Sequence, residues 1–197
     1  MIEAGINLEE TLEKKHITIS NIYKMLRKDH QKVHWRKLIC NNGGMPKWTF
    51  ILYMAILGKM NTRDRLARWG VTNELLCPMC KVEEESLEHM FFKCSFTAAI
   101  WSKVLQWMGI TRQTMEWSQE IEWTCSNAKS RSTNSEIYRI ALASCVYHVW
   151  QERNHKIFQH KQKQAGLLIK QTIQMICGRS YTLPKLRRRL EELNFYP

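Results

Sequence analysis

CPMCKVEEESLEHMFFKC, residues 77–94, sets three cysteines and one histidine in a single stretch between two segments patterned as amphipathic helix. The spacing is Cys-x2-Cys, eight residues, His, four residues, Cys. A tetrahedral zinc site takes four such donors, with sulfur at about 2.3 Å and imidazole nitrogen at about 2.0–2.1 Å. Cys77 and Cys80 can turn both sulfurs to one ion, with Pro78 fixing the bend. SLEHMFFKC reads as a short helix that carries His89 and ends at Cys94. The expectation is one structural zinc ion held by Cys77, Cys80, His89 and Cys94. Four protein donors leave no open position for chemistry. Two other readings stay open: a redox Cys-x-x-Cys, which lacks the βαβ setting such a pair has, and chance burial of cysteines. Leu87, Met90, Phe91 and Phe92 are expected as the dry wall of the site.

Around this stretch the chain reads as helix. Ser20 caps a helix through IYKMLRKDH, HWRKLIC continues the tendency, and NNGG (41–44) ends it. Pro46 suits the first turn of a helix through the apolar run to Gly58. In MNTRDRLARWG, Asn61 or Thr62 caps, Asp64 sits in the first turn, Leu66 and Trp69 face inward and Gly70 closes. Ser95 caps a helix with Ile100, Trp101, Val104, Leu105 and Met108 on its apolar face. A long helix runs from Ser135 to about Lys161, and LLIKQTIQMIC and LPKLRRRLEEL give two shorter ones. Little alternating β pattern occurs.

The fold class is therefore mainly α: a small helical domain around a CCHC zinc knuckle, followed by a C-terminal helical segment. The expected divisions are an acidic lead-in (1–15), the zinc-binding domain (16–109), a linker (110–134) and a C-terminal helical region (135–197). At 197 residues the chain is long enough for a real core.

Charge points to the partner. The formal net charge is +12, and residues 14–68 carry thirteen Lys or Arg against Asp29 and Asp64 alone. Residues 148–197 add ten basic side chains against three acidic ones. So long a stretch without balancing acid suits a polyanion, nucleic acid before membrane. Three thiolates on Zn²⁺ leave the knuckle at about −1, so contact with phosphate is expected from its basic neighbours Lys47, Lys59, Arg63, Arg65 and Arg68. Trp48 or Trp69 can stack on an unpaired base, or lie in the core as tryptophans at helical spacing do.

Other classes are excluded or disfavoured. Two aspartates cannot build a carboxylate cluster for two-metal chemistry, no GxxxxGK[ST] loop occurs, and no nucleophile stands in a recognisable setting. The expected protein is not an enzyme. The longest apolar run, WTFILYMAIL (48–57), falls short of the roughly 20 residues that span a bilayer. An odd count of seven cysteines and an acidic start, MIEAGINLEE, point to a reducing, intracellular compartment. The run Arg187-Arg188-Arg189 fits nuclear import and equally the exposed face of a helix. Cys40, Cys125, Cys145 and Cys177 read as small core residues, and the other histidines as surface or packing residues.

PKWTFILYMAILGKMNTRDRLARWG, then CPMC, then EEESLEHMFFKCSFTAAIW, resembles the zinc-binding domain that follows the reverse transcriptase in plant non-LTR (LINE-type) retrotransposons. The residues that carry the likeness are Pro46, Lys47, Phe50, Thr62 to Leu66, Cys77, Cys80, Glu84, His89, Phe91, Phe92, Cys94 and Trp101. ITISNIYKMLR and VWQERNHKIF (149–158) add to it. The likeness is specific over about 17–107 and looser beyond. It implies a zinc-stabilised module that helps a polymerase engage RNA or target DNA, with the same four metal ligands. Tyr53 stands where the family commonly has Trp, NNGG lengthens a loop, and no polymerase accompanies the domain. The resemblance therefore implies a separated fragment or a host-derived gene. Two alternatives accompany it: a protein-interaction module with purely structural zinc, and a retroelement remnant without selected function.

Overall fold

The structure, a computed structural model, describes residues 32–40 and 42–193, with Thr18 and Tyr23. The acidic lead-in and the helix expected after Ser20 lie outside the described residues. Contacts divide the chain into units 1–33 and 34–197; the description below concerns the second.

Pro46 does what its missing amide hydrogen allows. Helix α1 (Arg36–Cys40) ends ahead of the NNGG stretch, and α2 (Pro46–Ile56) begins with that proline in its first turn. Trp48, Leu52 and Ala55, one helical face, are fully buried. The loop between the two helices lies flat on a later helix, α6 (Thr133–Gln159). Asn42 Nδ2 donates to the Arg139 carbonyl (2.9 Å), and Arg179 Nε donates to the Gly43 carbonyl (2.8 Å). A Cβ on Gly43 would stand 2.9 Å from Glu136 Oε1 and 3.0 Å from Leu183 Cδ1, so these side-chain ends would have to turn aside for a larger residue.

Helix α3 (Arg63–Arg68) is short and buries no residue completely. The knuckle follows, then a π-helical turn (His89–Lys93) that runs directly into α4 (Ser95–Trp107). Thr97, Ile100, Trp101, Val104 and Leu105 are the buried face of α4, as the 3.6-residue period requires. Helix α5 (Trp117–Asn127) packs on the π turn and α1, and α6 crosses the centre of the unit. Ser132 caps α6 by accepting from the Ser135 amide. Most of its first twenty-one residues are buried on several faces, since α2, α4, α7 (Ala165–Ser180) and α8 (Pro184–Glu192) all pack on it. One cluster of buried side chains runs from Leu38 to Leu190.

The mainly helical class holds, and no strand forms among the described residues; Leu76 and Glu84 make a single antiparallel bridge. The segment 110–134, expected as a linker, contains α5. Trp117, Ile121 and Thr124 bury one side of it. Glu120 is buried there too, accepting from Arg112 Nη1 (3.0 Å), Arg112 Nη2 and the Tyr138 hydroxyl, while Arg112 stacks on Trp123 with 4.3 Å to the ring centre. That ion pair binds the segment into the core. Trp69 also departs from expectation. It is 57% exposed because α3 ends before it and Gly70 (φ +70°) turns the chain away. No helix among the described residues is long and apolar enough to cross a membrane.

Candidate metal centre and its basic surroundings

Two local structures bring the four donors together. The first is a tight loop. The Cys77 amide donates to the Glu83 carbonyl (2.7 Å) and the Lys81 amide to the Cys77 carbonyl (2.8 Å), with Lys81 in the left-handed region at φ +58°. This curls Cys77-Pro78-Met79-Cys80 so that both thiols face one point. The second is the π turn. In an α-helix residues five apart lie on different faces. Here the Cys94 amide donates to the His89 carbonyl (2.7 Å), the i→i+5 bond of a π turn. The extra residue in the turn carries Cys94 round to the side of His89.

The resulting distances fit a metal. The four donor atoms all lie within 4.8 Å of one another. Cys77 Sγ and Cys94 Sγ are 3.9 Å apart, and Cys80 Sγ is 3.3 Å from His89 Nε2. A tetrahedron with arms of about 2.3 Å has edges of about 3.8 Å, somewhat shorter to nitrogen. His89 Nδ1 lies 3.2 Å from Glu83 Oε2. Nδ1–H donating to that carboxylate leaves the Nε2 lone pair facing the point the sulfurs share, the arrangement that orients metal-ligating histidines. The two facing thiols shift in opposite directions. Cys94 is held down to about 5, first by the hydrogen bond from Cys77, against the opposing effect of burial, and further by the amides of Thr97 and Phe96. Cys77 is pushed up by donating that bond and by burial. A thiolate at the start of a 13-residue helix is a ready cation ligand.

The wall of the site differs from the expected one. Met79 and Phe96, with the cysteines themselves, surround the donors. Met90, Phe91 and Phe92 turn into the main core instead: Phe91 meets Trp117 (4.9 Å between ring centres), and Phe92 meets Trp101 (5.5 Å) and Trp117 (5.7 Å). The π turn thus offers its histidine to the metal side and its phenylalanines to α4 and α5.

A second anchor fixes the knuckle to the rest of the unit. Glu85, fully buried, accepts from Arg153 Nε (2.8 Å) and Nη2 (2.7 Å) and from the Arg63 amide (2.8 Å). Arg153 also donates from Nη2 to the Asn61 carbonyl (3.1 Å) and lies over Trp150, 4.9 Å from the ring centre. The carboxylate therefore closes the N-terminus of α3, the knuckle and α6 into one junction. Sequence reasoning placed Arg153 only in a family-like segment; its partner, 68 positions away, gave no local signal.

The five expected phosphate contacts separate into two groups. Arg63 donates to the Leu76 carbonyl (2.6 Å) and pairs with Glu74 (2.6 Å). Arg65 donates to the carbonyls of Gly58 and Met60 and lies over Trp69, 4.9 Å from the ring centre. These two guanidinium groups hold loops in place. Lys47 is exposed, above the Tyr147 ring at 5.0 Å, Lys59 is exposed without an ion pair among the described residues, and exposed Arg68 meets Asp64 at 3.4 Å. Trp48 belongs to the core. Of the remaining cysteines Cys145 is buried, Cys125 and Cys177 are half-buried and Cys40 is exposed; no disulfide forms among the seven.

The fold and the Cys3His cluster together define a helical zinc-binding module. Residues 17–101 match the family described as zinc-binding in reverse transcriptase, which bears out the resemblance to a reverse-transcriptase zinc-binding domain. No curated protein and no solved structure matches the chain.

Proposed function

We propose that the chain is a zinc-stabilised nucleic-acid-binding module derived from a non-LTR retrotransposon reverse transcriptase, with no catalysis of its own. The observation that carries this reading is the closure of four donors around one point in a chain that exposes Lys47, Lys59 and Arg68. One zinc ion held by Cys77, Cys80, His89 and Cys94 would supply a crosslink between the knuckle loop and the π turn. The residues do the rest: Glu83 orients His89, Met79 and Phe96 exclude water, and Glu85 fixes the knuckle against α6. Lys47, Lys59 and Arg68 are the cations offered to phosphate, while Arg63 and Arg65 shape the surface that carries them.

The absence of catalysis is supported by the carboxylates. Glu85, Glu120 and Glu152, the buried ones among the described residues, face Arg153, Arg112 and Lys163 respectively and do not gather at one place. The decisive experiment is binding of labelled RNA and DNA to the zinc-loaded chain over a range of salt. Phosphate contacts give a log–log slope of about −0.7 per contact for a single strand. Affinity that stays constant with salt would sink the reading.

A further inference from the structure

The geometry points to a single-stranded RNA site in a groove between the knuckle and the C-terminal end of α6, lined by none of Lys47, Lys59 and Arg68. This inference rests on the nucleic-acid reading and sharpens it. The groove encloses about 830 Å³. Its walls are aliphatic: Leu75 and Leu76 on the knuckle side, both exposed, Pro78 at the cysteine turn, and Ile157 on α6. Its cations are Lys81 from the knuckle and Lys156 from α6, and the His160 imidazole lines it too. None of these three forms an ion pair among the described residues, unlike Arg63 in the same groove, which is matched by Glu74.

Charge complementarity selects the occupant. Unmatched cations on both sides of a channel favour a ligand with regularly spaced negative charge, and an aliphatic floor favours flat apolar faces; a polynucleotide strand has both. Phe158, directly after Ile157, is 76% exposed, a ring free to stack on a base beside the groove. The groove runs between two elements, and its apolar floor suits the faces of unpaired bases. Glu84 lines it as well, exposed and without a side-chain hydrogen bond among the described residues. A carboxylate repels phosphate but accepts well from a hydroxyl, and the 2′-hydroxyl is what distinguishes RNA from DNA.

The test is fluorescence anisotropy on the zinc-loaded full chain, with a labelled oligouridylate, the matching oligodeoxythymidylate and an RNA duplex. The groove variant is Lys81→Asn with Lys156→Gln; asparagine tolerates the left-handed backbone at 81. The stripe variant is Lys47→Gln with Lys59→Gln and Arg68→Gln. Zinc content and Tm are checked for each. The expected result is single-stranded RNA bound in preference to both competitors. The groove variant should weaken it about tenfold and reduce the salt slope by about 1.4, two contacts at about 0.7 each. Glu84→Gln should narrow the gap between RNA and DNA. Loss of binding in the stripe variant with the groove variant unchanged would overturn the groove site while leaving the nucleic-acid reading intact. Equal binding of DNA or duplex would overturn the RNA assignment. A wild-type chain that binds none of the three overturns both.

Discussion

Arg153 grips Glu85 through two parallel hydrogen bonds, 2.8 and 2.7 Å, with the arginine side chain 3% exposed and the glutamate fully buried. Removing one partner leaves an uncompensated buried charge, which costs about 3–5 kcal/mol. Arg153→Ala is therefore expected to lower stability by about that amount, and Glu85→Gln by less, since the amide keeps an acceptor. Chemical denaturation of the zinc-loaded proteins measures it. A double variant, Arg153→Met with Glu85→Leu, should recover part of the loss; equal damage in single and double variants would argue against the ion pair as the cause.

Zinc content is predicted to be one ion per chain. Cys94→Ser should abolish stoichiometric binding, because it removes a thiolate from a closed set of four. Glu83→Gln, which alters only the partner of His89 Nδ1, should weaken zinc about tenfold, the low end for such partners because Glu83 is largely exposed. Competition with a chromogenic chelator reads both. An unchanged affinity in Glu83→Gln would mean that the loop alone orients the histidine.

His148 supplies a pH dependence. Burial holds its imidazole down to about 4; the Ser144 carbonyl opposes that shift, and the charges of Lys47 and Lys163 reinforce it. In the unfolded chain it titrates near 6.5. Between those values the unfolded state binds the extra proton, so stability falls as pH drops from about 6.5 toward 4, by about 3 kcal/mol at most. His148→Phe, which keeps a ring against Trp48 (5.9 Å) and Tyr147 (5.2 Å), should flatten this part of the profile. Thermal melts of the two proteins across that pH range decide it.

Gly43→Ala is predicted to destabilise by about 1 kcal/mol at most, the low end of the cost of an extra carbon in a filled space, because the atoms it meets are side-chain ends. The carbon would meet Glu136 and Leu183 at once, from two different segments. A loss of several kcal/mol, read from the Tm, would show that Glu136 and Leu183 cannot turn aside.

A chain cut after Trp101, where the family match ends, is expected not to fold. It lacks Arg153, and it exposes Trp48, Leu52 and Ala55, which α6 covers. Circular dichroism of the fragment with zinc present tests this; a cooperative transition would show that the knuckle is autonomous.

What could be read from the residues was local. The four donors declare themselves by spacing, and the apolar face of α4 by its period, because both depend on neighbours a few positions away. The π turn could not be read: its register follows from Cys94 reaching the side of His89, and the same residues make an acceptable α-helix. Helix α5 was hidden because Glu120 interrupts its apolar face, and that burial makes sense only with Arg112 and Tyr138 beside it. Arg63 and Arg65 look like surface cations in one dimension. Their acceptors are carbonyls and a carboxylate placed by the folding of the loops around them.

The separation of Glu85 and Arg153 has a meaning in time as well as in space. Ribosomes add about 5–20 residues per second, so the glutamate is synthesised several seconds before its arginine, 68 positions later. From the synthesis of Cys94 onward the knuckle has its four candidate metal ligands but no counter-charge yet for the carboxylate near them. A growing chain can capture its metal early, yet it settles into its final arrangement only when the middle of α6 has been made.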